Sequence, residues 1–247
     1  MNNLKNLNVL ITGASGGIGR SLSKAFASTN ANLFLVGSSK EKISKLRQEL
    51  PSKENINLFS LDFSQRENVS NFCDSIINDY GGISIVVNNA GINEDNIFMR
   101  MSDSAWDKVF AINLDASMII CRKFIRGMIK NKWGRIINIS SVVASTGNPG
   151  QSNYVASKGA LNGLTKSLAL EVATRGVTVN CISPGFIDTA MTAKMTDDQK
   201  LKITERIPMG RMGTGEDISS LVLFLTNNEA GYITGQNIHV NGGLFLA

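Results

Sequence analysis

A single histidine, His239, stands in 247 residues. That scarcity excludes a histidine-rich metal site, and His239 is expected to be structural. Cysteine is equally sparse and odd in number. Cys73, Cys121 and Cys181 are far apart, sit in apolar stretches and show no metal-ligand spacing. A disulfide framework is excluded, and buried free thiols in a reducing compartment are expected. No run reaches the roughly 18 apolar residues of a spanning helix. The opening Met1-Asn2-Asn3-Leu4-Lys5 lacks the apolar segment of a signal peptide. The chain therefore reads as cytoplasmic, with no membrane partner. Charge of one sign is modest, at a net +5. The densest basic cluster is Arg122, Lys123, Arg126, Lys130, Lys132 and Arg135. It reads as the solvated face of one helix, because a nucleic-acid surface needs a basic stripe interleaved with aromatics. There is no internal repeat, low-complexity stretch or composition break, so residues 1–247 read as one domain.

What is present is alternation. Short apolar runs at 8–12, 33–36, 57–61, 83–88, 134–140, 178–183 and 237–240 alternate with amphipathic stretches at 69–79, 103–131, 155–174 and 214–226. This pattern predicts an α/β fold: a Rossmann-type, doubly wound parallel sheet of about seven strands with helices on both faces. Ligands of such sheets sit beyond the carboxyl ends of the strands. The unusual residues of the sequence fall there. The first strand ends in Gly13-Ala14-Ser15-Gly16-Gly17-Ile18-Gly19 and an amphipathic helix follows. Glycines there let backbone approach a pyrophosphate, and the helix start supplies N–H donors. After the second strand come Gly37, Ser38, Ser39 and Lys40, with no acid at the tip to take a ribose 2′-hydroxyl. Hydroxyls and a lysine suit a 2′-phosphate, so NADP(H) is expected rather than NAD(H). Glu41 is expected to open the next helix, capped by Ser38 or Ser39. Residues 188–212 are the least regular stretch and read as a lid over a bound ligand.

Ser141, Tyr154 and Lys158 place a hydroxyl, a phenol and an ammonium in one short segment. Tyr154 and Lys158 are four apart, one turn along the same helical face. A neighbouring ammonium favours the phenolate, so the expectation is a Tyr154 pKa lowered toward neutrality and an acid/base role.

These pieces together resemble the short-chain dehydrogenase/reductase family over essentially the whole chain. Thr12 to Gly19 is similar to its coenzyme loop and Asn88-Asn89-Ala90-Gly91 to its strand-stabilising motif. Asn113, Ser141, Tyr154 and Lys158 resemble its catalytic tetrad, and Pro184-Gly185 its next signature. Within the family, residues 89–101, 147–154, 171–176 and 232–243 are similar to 3-oxoacyl-[acyl-carrier-protein] reductases of fatty acid synthesis. The resemblance implies a coenzyme site of Gly13, Ser15, Gly16, Gly17, Ile18, Gly19, Ser38, Asp62, Phe63, Asn89, Ala90, Gly91, Tyr154, Lys158, Pro184, Gly185 and Ile187. Asp62 would face the adenine amino group, or else cap a helix with Ser64. Those reductases often carry Arg where this chain has Gly16, so more of the 2′-phosphate selection falls on Ser38.

The implied reaction is hydride transfer from NADPH to a β-keto thioester on acyl carrier protein. Ser141 would hold the carbonyl, Tyr154 donate the proton and Lys158 hold the ribose and tune the tyrosine. Asn113 would hold a water linking Lys158 to solvent. Lys132 and Arg175 would form a basic landing patch near the cleft for the acidic carrier. A homotetramer is implied, through the paired long helices and the C-terminal segment. The apolar tail from Gly243 would bury there or on its own subunit. Two rivals remain: the same fold acting on acetoacetyl-CoA, a sugar, a steroid or a small alcohol, and a nucleotide-sensing protein without catalysis.

Overall fold

The computed structural model describes residues 4–189 and 196–246. Seven strands form one parallel sheet: β1 Asn8–Thr12, β2 Asn32–Gly37, β3 Ile56–Ser60, β4 Ile85–Asn88, β5 Gly134–Ile139, β6 Val177–Pro184 and β7 Asn237–Val240. Their order is β3-β2-β1-β4-β5-β6-β7. The chain winds outward from β1 to β3, then crosses back to β4 on the other side of β1. That reversal leaves a crevice at the carboxyl ends of β1 and β4.

Both faces are covered, so the strands read as continuous apolar runs. Successive side chains point to opposite faces. Val9, Ile11, Leu33, Leu35, Val87 and Ile137 pack in one cluster with Leu22 and Phe26 of α1 (Gly17–Ala27) and Ile218 and Val222 of α9 (Gly215–Leu225). Leu10, Phe34, Val86, Ile136 and Val179 pack in the other. Covering that second face are α3 (Arg66–Tyr80), α5 (Ala116–Asn131) and α7 (Ser152–Val172), through Val69, Ile76, Ile120, Phe124 and Val172. Burying each such aliphatic side chain contributes about 1.5–3 kcal/mol. Among the described residues the remaining α-helices are α2 (Lys40–Glu49), α4 (Asp103–Phe110), the short α6 (Val143–Thr146) and α8 (Asp197–Glu205).

The amphipathic stretch at 103–131 is helical throughout, but it is not one α-helix. Between α4 and α5, Ala111–Asp115 forms a π turn. Such turns carry an extra residue and are common at functional sites. Here it holds Asn113, which is fully buried. Part of the expected lid, residues 190–195, lies outside the described residues. Its base is described: Ile187 pairs with Gly213 in an isolated parallel bridge. The tail packs on its own chain, with Asn241 Nδ2 donating to the Phe245 carbonyl at 2.9 Å and Met209 N to the Gly242 carbonyl at 3.1 Å. All three thiols are free and buried, as the sequence implied. His239 lies against Phe245, with ring centroids 4.8 Å apart, and its buried Nδ1 has no partner among the described residues.

Candidate active site

The glycine turn is shaped by contacts only glycine allows. Gly13 has φ +63°, and a methyl group on it would stand 2.9 Å from the Ala90 Cα. One on Gly19 would stand 2.0 Å from the Gly13 carbonyl oxygen. Gly16 is more open, with its nearest contact at 3.3 Å. It caps α1 without a side-chain hydrogen bond, and the first turn of α1 contains no acid. The helix start offers N–H donors and a positive dipole end, which fits a pyrophosphate.

Neighbouring motifs fix this turn. The Thr12 hydroxyl accepts from the N–H groups of Asn89 and Ala90, both at 3.0 Å. Asn89 Nδ2 returns bonds to the carbonyls of Thr12 at 3.0 Å and Gly13 at 3.2 Å. Ser15 stands beside Gly37, where a methyl group would lie 2.8 Å from its hydroxyl. Thr189 was not expected. It sits against Gly17 so closely that a methyl group there would meet its Cβ at 2.4 Å. Its position only four residues after Gly185 was the available signal.

At the ribose and adenine end, Ser39 rather than Ser38 caps α2, accepting from Lys42 N at 3.3 Å. Ser38 is left exposed beside exposed Lys40. Phe63 is buried. Asp62 Oδ1 accepts from the hydroxyl of Ser64 at 2.7 Å and its N–H at 2.9 Å. Those two bonds, the hydroxyl first, hold its carboxyl below the ordinary value. The capping alternative is thus realised in part, since α3 itself begins only at Arg66.

The tetrad candidates converge at the carboxyl ends of β4, β5 and β6. Ser141 follows β5 and Ile187 follows β6, where Val142 N donates to the Pro184 carbonyl at 2.9 Å. Tyr154 and Lys158 both project from α7. Lys158 is 3% exposed. Its Nζ donates to the Ile139 carbonyl at 2.7 Å and lies 5.8 Å from the Tyr154 ring centroid. Burial pulls the Lys158 ammonium from 10.5 down to about 8. Gly91 borders the same space, for a methyl group there would stand 3.3 Å from Lys158 Nζ and 3.4 Å from Asn113 Oδ1.

Three expectations need correction. Tyr154 is half-buried, and burial pushes its phenol above the ordinary value. A hydrogen bond with Ser141 opposes the rise and the Asp95 carboxylate adds to it. The expected lowering by Lys158 is not seen, because desolvation dominates and the amine is turned toward the Ile139 carbonyl. The Asn113 amide is engaged within the chain. Its Oδ1 accepts from Ile92 N at 2.8 Å, while its Nδ2 donates to the Ile92 carbonyl at 3.0 Å and Ser157 Oγ at 3.1 Å. Lys132 and Arg175 are exposed and close in space, since a methyl group on Gly176 would stand 2.2 Å from the Lys132 carbonyl oxygen. They precede β5 and β6, however, so within one chain they occupy the end of the sheet opposite Ser141 and do not flank the cleft. The basic cluster also divides: Lys123 pairs with Asp74 at 2.6 Å, and Arg135 is buried in β5 rather than solvated on a helix.

Residues 13–245 match the family described as enoyl-(acyl carrier protein) reductase. Nodulation protein G of Rhizobium sp. (strain N33) is 48% identical over 237 residues, 96% of each chain. The 3-oxoacyl-[acyl-carrier-protein] reductase FabG of Aquifex aeolicus is 43% identical over 238 residues, 96% of each chain. That of Rickettsia bellii is 44% identical over 246 residues, the whole of both chains. Similarity that runs the length of the sheet, from the glycine turn to the tail, shows that the chain belongs to the short-chain dehydrogenase/reductase family, alongside the 3-oxoacyl-[acyl-carrier-protein] reductases.

Proposed function

We propose that the protein is an oxidoreductase that uses NADPH to reduce 3-oxoacyl-[acyl-carrier-protein] to the 3-hydroxyacyl form in fatty acid biosynthesis. The observation that carries this reading is the gathering of Ser141, Tyr154, Lys158 and Asn113 at one rim, beside the glycine cradle. Identities of 43–45% over 96% or more of the chain to proteins named for this reaction support it. The cradle of Gly13, Gly17 and Gly19 would hold the pyrophosphate, Phe63 and Asp62 the adenine end, and Lys158 the ribose beside the nicotinamide. Exposed Ser38 and Lys40, with no acid at the β2 tip, favour the 2′-phosphate and hence NADP(H). When bound there, the coenzyme would supply the hydride.

The chain's own groups manage the oxygen. Ser141 holds the carbonyl by hydrogen bonding. Tyr154 enters protonated, as its raised pKa requires, and gives its proton to that oxygen as negative charge develops there. Lys158 steadies the phenolate left behind. With a pKa of about 8 it can pass a proton onward near neutral pH. Asn113 fixes the Ile92 loop and the first turns of α7, so the phenol and amine keep their spacing. The family description names enoyl reduction, but two hydroxyls in contact suit an oxygen that ends as an alcohol.

Carrier protein is the expected partner, and a homotetramer the expected assembly. The latter is supported by the uncrowded glycines Gly159 and Gly163 and the 84% exposed Leu170 on α7. Three free thiols suit a reducing cytoplasm. Among the described residues no helix is long and apolar enough to cross a membrane. The test is coenzyme oxidation with acetoacetyl-carrier protein, run with NADPH and NADH and beside crotonyl thioester, acetoacetyl-CoA and a secondary-ketone panel. Fastest turnover with NADPH and the acetoacetyl carrier is expected. Faster turnover of the crotonyl thioester or an unrelated ketone overturns the substrate reading, and a preference for NADH overturns the coenzyme reading.

A further inference from the structure

Helix α7 begins in an unusual way. Its N-cap is Gln151, whose side chain makes no capping bond, and its first turn holds no acid. The N-terminal dipole meets only the neutral Asn153 Oδ1, which accepts from Tyr154 N at 2.7 Å two residues into the helix, and Lys158 adds a second positive influence. Both favour the phenolate, which cannot donate a proton.

An anion from elsewhere opposes them. The loop after β4 folds against the start of α7 through Asn96 N, which donates to the Gly150 carbonyl at 2.9 Å, and Asn153 Nδ2, which donates to the Glu94 carbonyl at 3.0 Å. Between those two anchors, Gln151 Nε2 donates to both oxygens of Asp95, at 3.1 and 3.0 Å. Asn148 Nδ2 holds Gln151 Oε1 at 2.9 Å, and Asn93 Nδ2 reaches Asp95 Oδ2 at 3.3 Å. Gln151 thus turns from capping its own helix to fixing a carboxylate at its positive end, three residues from Tyr154. The other ionisable groups near this helix do not duplicate that role. Glu94 is paired with Lys108, Asp103 and Asp107 on α4 are exposed, and the Cys181 thiol behind Lys158 is raised to about 11 by burial.

We propose that Asp95, locked by Gln151 at the amino end of α7, is a positioning residue whose negative charge keeps the proton on Tyr154 until the substrate oxygen takes it. This rests on the reading of Tyr154 as the proton donor. The direction agrees with the Asp95 carboxylate raising the Tyr154 pKa. Because Asp95 is exposed, its effect is modest and salt-sensitive.

The test is the pH profile of acetoacetyl-thioester reduction by the full chain with NADPH. Asp95→Asn should move the alkaline midpoint down by about half a pH unit, the scale of one surface charge acting through mostly aqueous surroundings. Gln151→Leu should move it the same way by less, Asp95→Glu should restore it, and high salt should shrink the difference. A fall in turnover with an unmoved midpoint, or an upward shift, overturns the proposal. The tyrosine can also be read without turnover. There are only three tyrosines, so ring-carbon NMR assigned against Tyr154→Phe reports its ionisation directly. An inactive wild type would sink the functional reading, while an unchanged Tyr154 midpoint in Asp95→Asn would sink this one alone.

Discussion

Strand β5 has a buried cation near each end, and the two do opposite work. Arg135 lies at its amino end and Lys158 packs over its carboxyl end, each 3% exposed. Neither makes an ion pair among the described residues. Both instead donate to backbone carbonyls. Arg135 reaches those of Gly134 at 2.8 Å, Gly176 at 3.3 Å and Asn227 at 3.4 Å, and lies 4.6 Å from the Trp133 ring centroid. Lys158 reaches that of Ile139 at 2.7 Å. Burial lowers the pKa of both. The guanidinium starts so high that it stays charged, and its rigid fork staples three chain segments. The ammonium falls into the range where it can exchange a proton, and it lies 5.8 Å from the centroid of a phenol ring. The same burial yields a structural clamp from one residue type and a chemical group from the other.

The largest expected effect breaks the chemical end. Lys158→Met should lower turnover at least about 10²-fold, the scale of lost proton-transfer assistance. The folded state should be little changed or slightly stabilised, since an apolar side chain replaces an unpaired buried cation. Steady-state kinetics beside urea unfolding separates the two. Arg135→Met should show the reverse. Stability should fall by about 2–4 kcal/mol as three carbonyls lose a charged donor, while turnover per folded molecule stays close to wild type. If Arg135→Met lost turnover while remaining folded, the division between the two ends would be wrong.

A smaller effect sharpens the comparison through pH. Lys158 binds its proton at about 8 when folded and 10.5 when unfolded. Between those values the unfolded chain holds more protons, so the Lys158 contribution makes stability rise with pH. Its penalty is full below pH 8 and fades toward 10.5. The buried thiols act the other way, because Cys73 and Cys121 are raised from 9.0 to about 12 and the unfolded chain releases those protons first. Subtracting wild type from Lys158→Met cancels Cys73 and Cys121, whose shifts do not involve Lys158. The stability gap in favour of the variant should narrow between pH 8 and 10, and a pH-independent gap would show that Lys158 does not titrate there.

Much of this was legible in the chain. Each strand is a short apolar run ending in residues with special backbone or chemistry, so sheet, crevice and motifs could be placed by order alone. The placement of Lys132 and Arg175 was legible too, because residues just before β5 and β6 must lie at the amino ends. What the sequence hides is direction and competition. A π turn adds one residue without disturbing the apolar periodicity, so 111–115 reads as ordinary helix. Spacing puts Lys158 beside Tyr154 but does not say that its amine bonds to Ile139, or that desolvation of the phenol outweighs the neighbouring charge. The Asp95–Gln151 contact joins residues 56 apart, which no local pattern reports.

That Tyr154 delivers the proton is the step on which the proposed reduction depends. It is tested most directly by single-turnover reduction of an acetoacetyl thioester by the NADPH-loaded protein, wild type against Tyr154→Phe, with NADPH affinity measured on the same samples. The expected result is a rate lower by at least about 10²-fold at unchanged NADPH affinity. A variant that reduces the thioester at the wild-type rate would contradict the account.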